Sequence, residues 1–180
     1  MYKILVLSYL LIWLLGCTAA HETPQSLNSH SLKSQKLQPV ALQLTTHLGD
    51  QQEFVAGDEI QFLLSTDKNA FIYMYYIDAD SNIIQIIPNQ NQKNNYYSAG
   101  YYQPVPASEI PYRFTISKPF GEEVIWIIAS DQSITIDFTT RPVGNFNQIH
   151  ASIDNIKKNI QQQSSQFYGD YSLKILTRKK

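Results

Sequence analysis

The sequence contains little cysteine and little charge. Its 180 residues include a single cysteine, Cys17. One cysteine excludes an intramolecular disulfide, a CxxC redox motif and a zinc site built from cysteines. Charged residues make up 16% of the chain, and the formal net charge is −1. A chain so close to neutral has no electrostatic footprint for nucleic acid, so we expect no nucleic-acid partner.

The sequence also lacks the motifs of common catalytic sites. GxSxG, HExxH and Walker patterns are absent. The four histidines are spread along the chain, at His21, His30, His47 and His150. Glu122 and Glu123 would face opposite sides of a strand, so we interpret them as turn charges and not as paired carboxylates. No nucleophile is accompanied by a base, and we predict a protein that is not an enzyme, without a cofactor or a small-molecule substrate.

The first residues predict export. Lys3 precedes an apolar run at residues 4–15. This run is shorter than the about 20 residues that a membrane-spanning helix needs, and it is typical of a signal peptide. The run ends in the motif Leu14, Leu15, Gly16 and Cys17. This motif resembles the lipobox of bacterial lipoproteins, which implies cleavage before Cys17 and a covalent lipid on its thiol. An ordinary cleaved signal peptide and an uncleaved anchor are the alternatives.

The resemblance to lipoproteins also implies a location. Thr18 stands at the position where Asp commonly signals retention at the inner membrane, so the outer membrane is implied, with the domain in the periplasm or at the cell surface. Residues 18–38 are polar and without periodicity, which predicts a flexible linker with a reach of about 25 Å. We assign residues 1–17 to the signal peptide and residues 39–180 to one domain.

The most structured stretch of the domain is a predicted β-hairpin. Its arms, at residues 71–78 and 83–89, are mostly β-branched or aromatic, and residues 79–82 have turn chemistry. Neither arm alternates cleanly with polar residues, so we expect both faces of the hairpin to be covered.

Apolar periodicity indicates the remaining elements. Further strands are predicted at residues 40–46, 60–65, 113–116, 124–130, 133–138 and 171–177. One apolar stripe has helical spacing and is formed by Ile149, Ile153, Ile156 and Ile160. Asn145 or Asn147 is the predicted cap of this helix. The fold class is therefore mainly β, an antiparallel β-sandwich of about seven to nine strands with one C-terminal amphipathic helix.

The order of several motifs resembles a known family. These motifs are Gly57-Asp58-Glu59-Ile60-Gln61-Phe62, the aromatic strand ending at Asp78-Ala79-Asp80, Ile86-Ile87-Pro88-Asn89, and Pro119-Phe120-Gly121-Glu122-Glu123. Over residues 40–130 the chain resembles the bacterial "domain of unknown function 4384" family. Members are in many cases exported or membrane-tethered, which implies an accessory binding role here. The family turn usually carries Gly where Ser81 or Asn82 stands.

The turn of the hairpin also has oxygen side chains in the spacing of a calcium loop. They are Asp78, Asp80 and Asn82, at the first, third and fifth positions. The sixth position, which needs Gly, is Ile83, and the twelfth, which needs Glu, is Asn89. We therefore predict a hairpin turn and no metal.

A long loop rich in tyrosine is the candidate binding surface. Its aromatic residues are Tyr96, Tyr97, Tyr101 and Tyr102. Tyrosine suits both protein recognition and sugar stacking, and the alternative is that half of these rings cover the edge of the sandwich. We expect an outer-membrane lipoprotein that presents a non-catalytic binding or assembly module to protein partners in an envelope complex, such as a secretion apparatus. The alternative is a glycan or peptidoglycan binder that uses the tyrosine loop.

Overall fold

The structure of the protein, a computed structural model, describes residues 36–49 and 53–180. The predicted signal peptide, the lipobox with Cys17 and the linker up to residue 35 lie outside the described residues. Among the described residues, no helix is long and apolar enough to cross a membrane.

The described part of the chain forms fourteen strands and one helix, a mainly β fold as predicted, with more strands than expected. The strands are β1 (Gln38–Pro39), β2 (Leu42–Thr46), β3 (Glu53–Val55), β4 (Glu59–Ile60), β5 (Phe62–Thr66), β6 (Ala70–Ile77), β7 (Ile83–Ile87), β8 (Tyr96–Tyr97), β9 (Gln103–Val105), β10 (Phe114–Thr115), β11 (Glu122–Ser130), β12 (Thr140–Val143), β13 (Phe146–Ile149) and β14 (Phe167–Arg178). The helix is α1 (Ile153–Gln163).

A nine-stranded sheet, hereafter the large sheet, organises the fold. Its main path runs β1-β14-β11-β6-β7-β13-β12, and β3 and β8 pair with β14 and β6. β1 and β3 run parallel to β14, whereas the other pairs are antiparallel. The predicted hairpin is β6 and β7, at the centre of this sheet.

The two faces of the large sheet belong to two different cores. Along β6, Ile72 and Met74 point into one core, while Tyr73 and Tyr75 point into the other. Successive residues of a strand face opposite sides, so a strand without polar alternation must be covered on both. The prediction that both faces of the hairpin are covered is confirmed.

Different elements cover these two faces. A three-stranded sheet (β2-β5-β9) and the short β4–β10 pair contribute Leu44, Phe62 and Ile60 to the first core. The helix contributes Ile156 and Ile160 to the second core, and both side chains are fully buried. The fold is therefore a set of layered sheets with a helix on one outer side, in line with the predicted sandwich.

The helix begins later than the sequence predicted. Its N-cap is Ser152, whose hydroxyl accepts a hydrogen bond from the backbone of Asn155. Ile149 lies in β13 instead. The predicted caps, Asn145 and Asn147, belong to the β12–β13 hairpin, which was not predicted. In that hairpin Gly144 adopts a positive φ of 58° in a two-residue turn, which is the conformation that favours glycine.

The predicted strand at residues 133–138 is wrong, although its side-chain alternation is correct. Ile134 is buried, and Ile136 and Phe138 pack against the same core. The backbone, however, bonds to side chains instead of a neighbouring strand. The N–H of Ile134 donates to the Tyr73 hydroxyl, and Gln163 bonds both to the N–H and to the carbonyl of Thr135. An irregular segment satisfied in this way needs no strand partner.

Candidate functional site

An open cavity lies between the large sheet and the β4–β10 pair. Its volume is about 320 Å³, which is in the range of small-ligand sites, about 300–1,000 Å³. The apolar part of its wall includes Ile60, Phe62, Ile84, Ile86, Phe114, Ile116, Ile125, Phe146 and Ile175. The exposed residues of the lining, Arg113, Thr115, Ser117 and Val143, form what we call the mouth.

An aromatic cluster builds one side of the cavity. The Phe114 ring lies 5.6 Å from Phe62 and 6.1 Å from Phe146, measured between ring centroids. Tyr112 packs edge-on against both Phe114 and Phe146 at 5.5 Å, and its hydroxyl accepts a hydrogen bond from Asn89. These ring contacts join β10 to β5 and β13 and hold the wall in place.

The β4–β10 pair has only a short ladder of backbone hydrogen bonds. Phe114 and Thr115 pair with Ile60 and Glu59. Beyond the strands, Gly57 N–H donates to the carbonyl of Ile116 and Ile116 N–H donates to that of Asp58, both at 2.9 Å. This segment therefore has few hydrogen bonds of its own, and its position over the large sheet depends on the aromatic contacts.

One carboxyl group is buried in the cavity wall. Glu123, near the start of β11, is 1% exposed. Its Oε1 accepts a hydrogen bond from Thr177 Oγ1 at 2.8 Å, and Thr177 in turn accepts one from the N–H of Gly121. Its Oε2 has no hydrogen-bond partner within the described part of the chain. An unsatisfied buried acceptor is costly, so this oxygen is the most unusual polar atom of the site.

The surroundings of Glu123 favour its neutral form. Burial is the main cause that raises its pKa, and the nearby Asp78 carboxylate raises it further. The hydrogen bond from Thr177 and the nearby Tyr76 hydroxyl oppose this effect without cancelling it. Burial, together with the neighbouring Glu123, likewise raises the pKa of Tyr76. The wall of the cavity therefore contains a buried acidic group whose charge the described residues compensate poorly.

The motifs quoted in the sequence analysis meet at this cavity. Ile60 and Phe62 come from the first motif, and Tyr76 is the penultimate residue of the aromatic strand β6. Ile86 begins the Ile86-Ile87-Pro88-Asn89 motif, and Glu123 ends the last motif. Residues 53–133 match the family model Domain of unknown function (DUF4384). The family resemblance is thus confirmed. No curated protein and no solved structure matches the chain.

The DUF4384 match contains most of the cavity. Val143, Phe146 and Ile175 of the lining lie beyond residue 133. The β12–β13 hairpin and β14 therefore complete a site whose other lining residues lie within the family match.

The four tyrosines of the candidate binding loop have different environments. Tyr97 is 6% exposed, belongs to the core, and accepts a hydrogen bond from Gln92 at 3.0 Å. Tyr96 is 47% exposed and packs edge-on against Phe71. Tyr97 is therefore a core residue, and its ring is not available to a ligand. The prediction that Tyr97 belongs to the binding surface is wrong.

The other two loop tyrosines are the most exposed. Tyr101 is 56% exposed and Tyr102 is 50% exposed. The hydroxyl of Tyr102 donates to Gln43 of β2 at 2.5 Å. The loop therefore contributes exposed rings next to the three-stranded sheet, away from the lining of the cavity.

The oxygen side chains of the β6–β7 turn bond within the turn. Asp78 Oδ1 accepts from the N–H groups of Asp80 and Asn82, and Asp78 Oδ2 accepts from Asn82 Nδ2. Ser81 has a positive φ of 65°, a conformation that favours glycine. The carboxylate of Asp78 thus closes the turn. In the described ranges, no group of three or more His, Cys, Asp or Glu could hold a metal ion.

Glu123 is a site residue that was not predicted, although the sequence carries a signal for it. The interpretation of Glu122 and Glu123 as turn charges is wrong for Glu123. Glu122 points outward and pairs with Lys174 at 2.7 Å, between two well-exposed side chains. Because neighbours in a strand face opposite sides, an outward Glu122 requires an inward Glu123.

Proposed function

We propose that this chain is a binding module without catalytic activity, and that the cavity at Glu123 is where it engages a partner. The supporting observation is an apolar cavity, open at its mouth, with a buried carboxylate oxygen that has no partner among the described residues. A group that fills the cavity would gain the dispersion contacts that its wall now lacks, and a donor on that group would satisfy the oxygen.

Binding is favoured over catalysis by the lining itself. Thr115 and Ser117 of the lining are exposed at its mouth, whereas the Glu123 carboxyl is buried and accepts a hydrogen bond from Thr177. Neither of the described histidines, His47 and His150, is among the lining residues. A hydroxyl without an adjacent base is a weak nucleophile.

We further propose that the module is held at the outer membrane by a lipid on Cys17 and works in an envelope complex, such as a secretion apparatus. The support is the motif Leu14-Leu15-Gly16-Cys17 and the family resemblance. Globomycin, which blocks the lipoprotein signal peptidase, should cause the larger precursor to accumulate. Cys17→Ala should abolish lipidation. Unchanged processing under both conditions would contradict the anchor without affecting the cavity.

Crosslinking in cells tests the binding function. A photoreactive amino acid at Ser117, an exposed residue of the mouth, should capture a defined envelope protein. A matched probe at Asp154, on the first turn of the helix and outside the cavity lining, should not capture the same protein. Equal capture at both positions would contradict the proposed role of the cavity.

A second candidate function uses the exposed tyrosines. Tyr101 and Tyr102 offer two half-exposed rings on one loop, which favours stacking on sugars. Under this alternative, Tyr101→Ala and Tyr102→Ala should each lose retention on purified sacculi, while Glu123→Gln should retain it. Retention that does not depend on either tyrosine would exclude glycan binding through this loop.

A further inference from the structure

We propose that the cavity binds a compact apolar group that ends in a primary ammonium, with the ammonium donating to Glu123. This inference rests on the proposed binding function of the cavity, but it does not depend on the lipid anchor.

The size of the cavity sets the size of the apolar group. A cavity of about 150 Å³ lined by aliphatic and aromatic residues accommodates benzene. The cavity here, at about 320 Å³, is roughly twice as large. It therefore has room for a bicyclic aromatic group or an extended aliphatic stem, in contact with Phe62, Phe114 and Phe146.

The unpartnered oxygen of Glu123 determines which head group the ligand should carry. Glu123 Oε2 can accept hydrogen bonds, and no described residue makes one to it, although the Tyr76 hydroxyl lies near the carboxyl. A primary ammonium brings donors together with a positive charge, and charge-assisted hydrogen bonds are about twice as strong as neutral ones. A hydroxyl would bring one donor without charge, and a carboxylate would be repelled by Glu123 and Asp78.

Among the residues that the structure describes, none supplies this cation. Arg113 is the other charged residue of the lining, but it is exposed at the mouth. Its Nη1 donates to the carbonyls of Ile110 and Tyr112 at 3.1 and 2.9 Å. The aromatic wall adds to the preference, because the faces of aromatic rings attract cations.

Two sources can present this chemistry. One is a lysine of a partner protein, whose four methylene groups and ammonium have the required shape, and the other is a free hydrophobic amine. The shared chemistry is an apolar body with an ammonium, and the two arms of the experiment separate the sources.

The first arm measures the preference of the cavity for an ammonium. Tryptamine, indole-3-ethanol and indole-3-propionate share one apolar body and differ in the head group. Each is titrated calorimetrically against the full chain in nanodiscs, with empty nanodiscs as the blank. We expect tryptamine to bind about ten- to a hundredfold more tightly than the alcohol, and the carboxylate to bind weakest.

Two adjacent variants provide the matched control. Glu123→Gln keeps the shape of the side chain and removes the charge, and should reduce tryptamine affinity to that of the alcohol. Glu122→Gln changes the same chemistry on the opposite face of β11 and should leave all three affinities unchanged. Thermal unfolding of both variants checks that they fold. Equal affinity for the three compounds, or an unchanged preference in Glu123→Gln, would overturn the proposal.

The second arm identifies the source by crosslinking from Ser117 in cells. If Glu123→Gln and added tryptamine both prevent capture of an envelope protein, a lysine of that protein supplies the ammonium. If the purified chain prefers tryptamine but no protein is captured, a free amine is the ligand. The proposed preference for an ammonium is then supported, and the proposed protein partner is wrong. Capture that survives both treatments would overturn the ammonium and leave the binding function intact.

Discussion

Replacing Glu123 with glutamine should stabilise the protein at neutral pH. Burial raises the pKa of Glu123 in the folded chain, so the unfolded chain releases this proton first as the pH rises. The contribution of Glu123 to stability is therefore most favourable below the unfolded pKa of about 4.3 and is lost as the pH rises through the folded pKa. Glutamine carries no charge at any pH. The variant removes the desolvation cost of a buried charge, about 1–3 kcal/mol or more, but its amide group is an unpaired donor at the position of Oε2. We therefore expect a net gain of about 1 kcal/mol in the free energy of unfolding at pH 7.

Urea unfolding of the full chain between pH 3.5 and pH 8 measures this gain, with no amine present. The difference between Glu123→Gln and wild type should shrink toward zero at the acidic end. Glu122→Gln is the control, because its ion pair with Lys174 is well exposed and should change stability by less than about 0.5 kcal/mol. A destabilised Glu123→Gln at pH 7, or a difference that does not vary with pH, would refute the reasoning.

The remaining predictions concern the loop, the turn and the helix. Tyr97→Phe leaves a buried glutamine without its acceptor and should cost about 1–3 kcal/mol by urea unfolding, whereas Tyr101→Phe should cost less than about 0.5. Asp78→Ala removes three hydrogen bonds of the β6–β7 turn and should lower the free energy of unfolding by about 1–3 kcal/mol; an equal loss in Asp80→Ala would contradict this account. Ile160→Ala should cost about 2–5 kcal/mol, and a cost below about 1 would show that the helix does not cover the sheet.

The parts of the fold that were predictable have a strong local signal. The β6 and β7 arms are apolar on both faces, and such a pattern requires cover on both sides wherever the strands lie. The register of the helical stripe also identified Ile156 and Ile160 correctly. The start of the helix was predicted too early because Ile149 continues the helical spacing by coincidence while it pairs in β13. The Gly144-Asn145 turn was a signal for the missed hairpin.

Contacts between residues distant in sequence determine the parts of the fold that the sequence patterns did not predict. Apolar alternation at residues 133–138 was real, but the partners of this backbone are Tyr73 and Gln163, which are distant in sequence. The cavity depends on how β10, β13 and β14 meet, and no single segment encodes that arrangement. The burial of Glu123 was partly predictable. Adjacent residues of a strand face opposite sides, so one carboxyl of the Glu122–Glu123 pair must point inward.

The titration of the Glu123 side chain tests the central claim most directly. Carbon-13 NMR of the labelled full chain, with Glu123→Gln to assign the signal, measures the pKa of this carboxyl with and without saturating tryptamine. We expect a pKa above the ordinary glutamate value of about 4.3 in the free protein and a lower pKa when the amine is bound. A pKa at or below the ordinary value in the free protein, or one that the amine does not lower, would contradict the account.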